Sequence, residues 1–406
     1  MKNTSNIISR EEYLNWLIKL KDKHIIKVIT GIRRCGKSTL FELYKNYLIN
    51  NNVKAKQIID INFEDNKYKD LLFADKLHEY ILNNINKDKM NYIFLDEVQN
   101  VKDFEKCVDS LFLRKNLDIY LTGSNSYMLS GELATYLTGR YMQIHMLPLS
   151  FKEFFSVSGD KNELKEYEKY IEVGGFPYII NLDNDYELIR NYLDSIYNTV
   201  LMKDIVTKNK IKDVMILDSV IKFLFDNIGN LVSINKISDT LRSNGRKNSV
   251  NTIESYVQSL IDSYIIYKVS RYDIKGKEYL KTGDKYYLCD LGLRNYLLGG
   301  IEKKDIGRIL ENVIFLELKR KGFDIYIGKN GDKEVDFVLR NNEGIKYVQV
   351  CLSARDEKNF EREISVLDNI KDHNPKYLIT LDYDKATYNG IKQISAIDFL
   401  LGRENI

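Results

Sequence analysis

One octapeptide, Gly31-Ile32-Arg33-Arg34-Cys35-Gly36-Lys37-Ser38, constrains this chain more than any other stretch of it. It reads G-x-x-x-x-G-K-S, follows the apolar run Ile25-Ile26-Lys27-Val28-Ile29-Thr30, and precedes a helical pattern from Thr39 to Asn50. Two glycines let the backbone turn tightly enough to aim its N–H groups inward at phosphate oxygens. The helix N-terminus adds a partial positive charge, Lys37 reaches the terminal phosphates, and the Ser38 hydroxyl can ligate Mg²⁺. A strand, loop and helix in this order imply a nucleoside triphosphate site formed by Gly31, Arg33, Arg34, Cys35, Gly36, Lys37, Ser38 and Thr39.

Apolar stretches recur downstream with helical patterns between them: Ile58 to Phe63, Tyr92 to Glu97, Leu117 to Thr122 and Tyr141 to Met146. Continuous apolar strands alternating with helices imply an α/β fold, a parallel sheet with helices on both faces. Ligands of such sheets sit at the carboxyl ends of the strands, so the polar residues there should converge on the nucleotide. Asp96-Glu97 ends one strand. It places one carboxylate in the Mg²⁺ shell, beside Ser38, and the next where Glu97 can polarise an attacking water. Leu121-Thr122-Gly123-Ser124-Asn125-Ser126 ends another, and Asn125 or Ser124 is the candidate for sensing the γ-phosphate. Upstream, Ser9-Arg10-Glu11-Glu12 reads as a capping box that opens a helix running to Lys21.

Five motifs in order, G-I-R-R-C-G-K-S, F-L-D-E-V-Q, L-T-G-S-N-S, L-T-G-R-Y (Leu137 to Tyr141) and L-P-L-S-F-K-E-F (Leu147 to Phe154), resemble the AAA+ P-loop ATPases. The similarity is to the archaeal and bacterial ATPase branch related to the STAND group. It implies strand order 5-1-4-3-2, ATP and Mg²⁺ as ligands, Glu97 as the catalytic glutamate and Asn125 near the first sensor position. Arg140 has two readings: a group stabilising charge on the transferring phosphoryl, in cis or from a neighbouring subunit, or a strand-edge salt bridge. Gly174-Gly175-Phe176-Pro177 matches the family's lid-like helical region, and its logic is structural: glycine for unusual dihedrals, proline for a fixed bend.

The expected organisation is an ATPase domain over 1–150, a helical lid over 151–202, a winged helix over 203–290 and a small α/β domain over 291–406. In the third, Ser233 caps a helix with Ile234, Ile237 and Leu241 inward, and a turn at Ser243-Asn244-Gly245 follows. A second helix then buries Val250, Ile253, Val257, Leu260 and Ile261, and strands Tyr264 to Tyr272 and Tyr279 to Asp290 make a hairpin. The second helix would offer Asn251, Thr252, Glu254, Ser255 and Gln258 to a major groove. Over 203–290, 15 Lys and Arg stand against 11 Asp and Glu, with Arg242, Arg246, Lys247, Lys275 and Lys277 where phosphate contacts would lie. A protein-contact role for the module is weighed equally. The C-terminal part resembles the PD-(D/E)XK nuclease-like domains attached to many ATPases of this branch. That resemblance assigns Glu311, Asp336 and Gln349 to the acidic slots and puts Cys351 in the lysine slot. A thiol is neutral near pH 7, so the domain reads as inactive; Lys346 lies on the wrong strand face, and Lys319 is the candidate for a migrated lysine.

A net charge of +3 argues for no global polyanion partner, and four scattered cysteines without a C-x-x-C pair indicate neither zinc nor a disulfide framework. Met1 to Asn6 lack a signal-peptide apolar core, and no run of about 18 apolar residues exists to span a bilayer. These features give the expectation of a cytoplasmic protein with no membrane contact. Three functions follow: a nucleotide-driven switch, with a homo-oligomer or protein partner open; an ATP-regulated nuclease; or a DNA-binding regulator gated by nucleotide.

Overall fold

Burial of whole strands sets the first half of the structure, a computed structural model that describes residues 8–126, 137–209, 211–279, 283–355 and 357–406. The N-terminal stretch Met1 to Asn6 and positions 280–282 of the expected hairpin therefore lie outside the described residues. The strands of the first sheet are β1 (Ile26–Thr30), β2 (Ile58–Asn62), β3 (Asn91–Asp96), β4 (Leu117–Gly123) and β5 (Tyr141–His145). All neighbours run parallel, in the order β2-β3-β4-β1-β5 that the family resemblance implies. Every residue of β1, β3 and β4 is buried.

The helices α1 (Glu11–Leu20), α2 (Lys37–Asn50), α3 (Ala74–Asn84) and α4 (Phe104–Phe112) supply the cover. Side chains alternate along a strand, so Ile93, Leu95, Ile119 and Leu121 meet Leu77 and Ile81 of α3 and Val108 and Leu111 of α4. On the other face Phe94 and Tyr120 pack on Phe41 and Tyr44 of α2, with ring centroids 5.0 Å (Phe41–Phe94) and 5.2 Å (Tyr44–Tyr120) apart. The unit comprises the chain up to Pro148 together with Asp262–Tyr264.

Two charges in the middle of this sheet are fully enclosed and answer one another. Lys27 of β1 and Asp118 of β4 are 0% and 2% exposed and form an ion pair. Lys27 also donates to Lys23 O at 2.7 Å, while the Asp118 carboxylate accepts from Tyr120 Oη at 2.7 Å and from the Asp22 N–H at 2.9 Å. Burial lowers the Lys27 ammonium and raises the Asp118 carboxyl, and their attraction offsets only part of either shift.

The second unit holds Leu149–Ile261 and Ile265–Ile406, so the boundaries expected at 202 and 290 fall inside one compact body. It opens with α5 (Phe151–Ser156), whose capping box pairs Ser150 and Glu153, then α6 (Glu163–Val173), α7 (Tyr186–Ile196) and α8 (Val214–Asp226). Next come β6 (Leu231–Val232), α9 (Ile234–Ser243), α10 (Val250–Asp262), β7 (Ile266–Val269), β8 (Arg271–Asp273), β9 (Glu278–Tyr279) and β10 (Asp284–Leu288). The expected long hairpin divides between two sheets. β7 pairs with β10 in a three-stranded sheet of order β6-β10-β7, while β8 and β9 leave it to extend a larger one.

That larger sheet follows α11 (Leu291–Leu298) and α12 (Ile306–Arg320). It is completed by β11 (Asp324–Asn330), β12 (Lys333–Asn341), β13 (Gly344–Val350), β14 (Lys376–Thr380), β15 (Thr387–Tyr388) and β16 (Ile391–Ser395), with helix α13 (Glu357–Asp368) after β13. Strand order is β15-β16-β14-β13-β12-β11-β8-β9.

The Gly174-Gly175 turn has the structural role read from its sequence. The Asp290 carboxylate caps α11 through the Leu293 N–H (3.1 Å) and accepts the Gly175 N–H at 2.7 Å. A Cβ on Gly174, where φ is +83°, would lie 2.4 Å from Asp290 Oδ1. Burial raises the Asp290 carboxyl to about 6, against these backbone bonds.

Asp118→Ala leaves the Lys27 ammonium buried without its counter-ion and should cost about 3–5 kcal/mol in urea unfolding. The double change Lys27→Met with Asp118→Leu should recover most of that loss. An unchanged midpoint for Asp118→Ala would show that the pair does not hold the sheet.

Candidate functional site

The phosphate loop leaves β1 at Thr30 and enters α2 at Lys37, and its backbone takes the conformations its spacing requires. Gly31 has φ +152°, and a Cβ there would sit 2.2 Å from Met146 O. Gly36 is left-handed at φ +101° and Arg34 at φ +67°. No side chain caps α2, which leaves the first N–H groups of the helix for an anion. Lys37, 4% exposed, donates to Gly31 O at 3.0 Å and Ile32 O at 3.2 Å and lies 3.4 Å from Glu97 Oε1. Cys35 is wholly buried, which raises its thiol and keeps it neutral; Ser38 and Thr39 are exposed. Arg33 pairs with Glu64 at 2.9 Å on the surface.

Strand ends β3 and β4 bring the two acids to this loop. Thr122 Oγ1 donates to Asp96 Oδ1 and accepts the Glu97 N–H at 2.8 Å. Asn62 Nδ2 donates to the other Asp96 oxygen at 3.1 Å, and the Ser38 hydroxyl also bonds Asp96. Burial raises the Asp96 carboxyl, and these bonds offset only part of the shift. Glu97 is left-handed at φ 54°, a conformation that costs a non-glycine residue about 1–2 kcal/mol. Burial would raise the Glu97 carboxyl too, but Lys37, Gln99 and Ser124 outweigh it and hold it below the ordinary value. Glu97 is therefore ionised throughout the neutral range.

Of the two sensing candidates, Ser124 bonds Glu97, and Gln99 Nε2 reaches both Glu97 Oε2 and Ser124 Oγ (3.4 Å). Asn125 is buried beside them, 6% exposed. Ser126 Oγ donates to Asp262 Oδ1 at 2.7 Å, and Tyr264 bonds Thr30 and packs at a tilt against His145, ring centroids 4.4 Å apart. The tripeptide Asp262–Tyr264 thus ties onto the ends of β4, β1 and β5.

Two expectations need correcting: a role in cis for Arg140, and the Ser9 cap. Arg140 lies at the end of the sheet opposite this chain's own phosphate loop. Its carbonyl accepts the Ile26 N–H at 2.9 Å, at the start of β1, one strand length (about 13 Å at ~3.3 Å per residue) from the loop. Its guanidinium pairs with Asp109 over the Phe112 ring, so the strand-edge salt bridge is the arrangement found within this chain. Ser9 caps nothing either. Arg10 is the N-cap of α1, left-handed at φ 47°, without a side-chain cap. This frees the Arg10 side chain to enter the loop, where it is 3% exposed and donates to Cys35 O at 3.0 Å and Leu147 O at 2.6 Å.

A second charged cluster lies in the other unit. Glu311 of α12 and Asp336 of β12 are brought together as their slots imply, and Gln349 joins them by accepting the Asp336 N–H at 3.2 Å while donating to Glu363 Oε2 at 2.8 Å. Cys351 follows the strand, its thiol raised to about 12 by burial and the neighbouring acids. Lys319 is elsewhere, its ammonium 4.8 Å from the Tyr267 ring centre, and Lys346 bonds Glu343 and Ile406 O. The lysine in the cluster is Lys285 of β10, 2.9 Å from Glu311 and 2.8 Å from Glu334. Period-two spacing was its only sequence signal: Lys285 and Tyr287 share one face of β10, Glu334 and Asp336 one face of β12.

Arg10→Ala should weaken ATP affinity about tenfold, since charged hydrogen bonds of about 1.5–3 kcal/mol fix the loop carbonyls it holds. Arg140→Ala should keep turnover within about twofold, as an exposed pair is worth about 1 kcal/mol or less. Titration of a fluorescent ATP analogue and steady-state phosphate release check both. A tenfold fall in Arg140→Ala turnover, rescued by mixing with Lys37→Ala protein, would instead put Arg140 at a neighbouring subunit's site.

Residues 23–155 match an AAA domain family, and residues 164–304 match a domain of unknown function (DUF8612). An uncharacterized protein of Haemophilus influenzae is 40% identical over 404 residues, spanning 97% of this chain and 99% of its own length. One of Methanocaldococcus jannaschii is 33% identical over 395 residues, spanning 92% and 85%. Among solved structures, the Walker-type ATPase PABY2304 of Pyrococcus abyssi aligns over 72% of this chain and 96% of its own at 16% identity, TM-score 0.49. Cdc6p from Pyrobaculum aerophilum aligns over 73% and 95% at 13% identity, TM-score 0.32. No helix among the described residues is long and apolar enough to cross a membrane. The chain belongs, over nearly its full length, to one family with the Haemophilus and Methanocaldococcus proteins, and its residues 23–155 form an AAA domain.

Proposed function

We propose that the protein binds ATP with Mg²⁺ and hydrolyses it, and that the nucleotide state switches the modules that follow the ATPase domain. The carrying observation is the convergence of Lys37, Asp96, Glu97 and Thr122 on one loop, with Glu97 ionised and 3.4 Å from Lys37. The site fits Mg²⁺. The Ser38 hydroxyl and Asp96 carboxylate already share a hydrogen bond, and Mg²⁺ usually takes one or two protein oxygens beside phosphates and waters. Accordingly no group of three or more His, Cys, Asp or Glu among the described residues is arranged to hold a metal by itself.

In this reading Ser38 and Asp96 would hold Mg²⁺, which when bound would supply positive charge to the phosphates. Lys37 and the N–H groups of Gly36 to Thr39 hold the phosphate oxygens, and Arg10 keeps the loop in shape by binding its carbonyl face. Glu97 accepts a hydrogen bond from the attacking water and draws off its proton as the nucleophile forms. Ser124, Asn125 and Gln99 orient that carboxylate and sense the γ-phosphate. The Lys37 ammonium turns from Glu97 to the phosphates on binding, which releases Glu97 for this work.

Support for a winged helix comes from α8, β6, α9, α10 and the β7/β10 hairpin folded as a three-stranded sheet of order β6-β10-β7. Asn251, Glu254, Ser255 and Gln258 of α10 are exposed, as are Arg242 and Lys247. This is a surface suited to nucleic acid or to protein. Ser126, Asp262 and Tyr264 support the switch, because the chain leaves α10 and enters β7 through residues bonded to strand ends at the nucleotide loop. The order α12, β11–β12–β13, α13, β14 supports a nuclease-like C-terminal domain, and the neutral Cys351 thiol supports its inactivity.

Lys37→Ala should lose ATP binding, because the phosphates lose the loop's ammonium. Glu97→Gln should retain binding and hydrolyse ATP at least about a hundredfold more slowly, since an amide does not accept the proton. Mg²⁺-dependent phosphate release and nucleotide titration on each variant check this, and equal turnover of wild type and Glu97→Gln would remove Glu97 from its role.

A further inference from the structure

Three carboxylates of the second unit, Glu311, Glu334 and Asp336, face a single ammonium. Lys285 Nζ lies 2.9 Å from Glu311 Oε1, 2.8 Å from Glu334 Oε1 and 3.8 Å from Asp336 Oδ1, with its side chain 4% exposed. Two further donors reach the same acids. Tyr287 Oη donates to Glu311 Oε1 at 2.6 Å, and the Val350 N–H donates to Asp336 Oδ2 at 2.9 Å. The strand that carries Lys285 is clamped to the helix that carries Glu311. Asn312 accepts the Leu288 N–H at 2.8 Å and donates to Leu288 O at 3.1 Å. The wall beside Glu311 is Gly229, left-handed at φ +70°, where a Cβ would come 3.2 Å from Glu311 Oε2. The ammonium is therefore not a mobile surface group that happens to reach an acid. It is seated by the Asn312 side-chain bonds to Leu288, three residues along the strand, and its stem runs through protein.

We propose that Lys285 is the resident cation of the Glu311, Glu334 and Asp336 cluster, and that its ammonium keeps divalent metal out of that cluster. Glu311 and Asp336 are buried and Glu334 half-buried, and carboxylates this close repel one another and require positive charge between them. A divalent ion bridging Glu311 and Asp336 would compete with Lys285, Tyr287 and Val350 for Glu311 Oε1 and the Asp336 oxygens. An ammonium and Mg²⁺ cannot share that centre, because the two charges would meet at contact distance with little water to screen them. Lys285 thus decides whether the cluster is a structural ion pair or a metal site. The inference is independent of the ATPase reading, since it concerns residues outside the phosphate loop.

Mn²⁺ titrated into the full chain without nucleotide, followed by electron paramagnetic resonance, tests this. Wild type should show no Mn²⁺ binding that Asp336→Asn removes. Lys285→Met keeps the stem and deletes the charge. It should bind one further Mn²⁺ per chain, at least tenfold tighter than wild type, and lose it when combined with Asp336→Asn. Without metal, Lys285→Met should melt below wild type, and adding Glu311→Gln should raise its melting temperature by removing one of the repelling charges. Three results would each overturn the proposal: Asp336-dependent Mn²⁺ binding by wild type, no Mn²⁺ gained by folded Lys285→Met, or a Lys285→Met/Glu311→Gln protein no more stable than Lys285→Met. If Lys285→Met does not fold, the wild-type titration and the comparison with the double variant still decide it.

Discussion

The Thr122 hydroxyl holds the catalytic end of the ATPase sheet together. As a donor it fixes Asp96 Oδ1, and as an acceptor it takes the N–H of Glu97, the very next residue. Consecutive residues on a strand point to opposite faces, so two adjacent acids would ordinarily diverge. The left-handed turn at Glu97 breaks that alternation, and the Thr122 oxygen satisfies the N–H the turn exposes to the interior. One acid then stays with Ser38, and the other swings to Lys37. The strain of about 1–2 kcal/mol at Glu97 is stored where the chemistry is placed.

A wider constraint runs through both units: several buried charges among the described residues have partners brought from far along the chain. Arg10 crosses 25 positions to reach Cys35 and 137 to reach Leu147. Lys27 meets Asp118 across 91 positions, and Lys285 meets Glu311 across 26. An unpartnered charge at these depths would cost several kcal/mol, so each pair fixes where two elements sit. Arg10 and Lys285 then act on sites to which their own sequence neighbours give no clue.

Short spacing is what made part of this legible in sequence. The phosphate loop, the Asp96-Glu97 strand end and the Ser124-Asn125 strand end are local patterns, each tied to a strand whose apolar run marks it, and the parallel sheet followed from those runs. The Gly174-Gly175 turn was read correctly as structural, though its partner, Asp290, stands 115 positions away from Gly175. For Arg140, position relative to the strand separates the strand-edge salt bridge from a role in cis. The residue immediately precedes β5, and a residue preceding a parallel strand sits at the end opposite the ligand. The Ser9 capping box failed for another reason. Arg10, next to Ser9, takes the left-handed N-cap position itself so that its side chain can reach the loop. Lys27 was absorbed into an apolar run and Lys285 into a hairpin, because a lone lysine among hydrophobic residues signals burial only once its acid is known.

The most direct test of this account is Thr122→Val, which keeps the side-chain shape and deletes the hydroxyl, measured beside Thr122→Ser, which keeps the hydroxyl. With both acids left to find other partners, Thr122→Val should bind ATP within a fewfold of wild type and lose at least about tenfold in Mg²⁺-dependent turnover, roughly 1.4 kcal/mol or more of transition-state stabilisation. Thr122→Ser should stay within about threefold of wild type. Equal turnover by Thr122→Val and wild type, with the fold intact, would contradict the placement of the two acids on which the proposed hydrolysis rests.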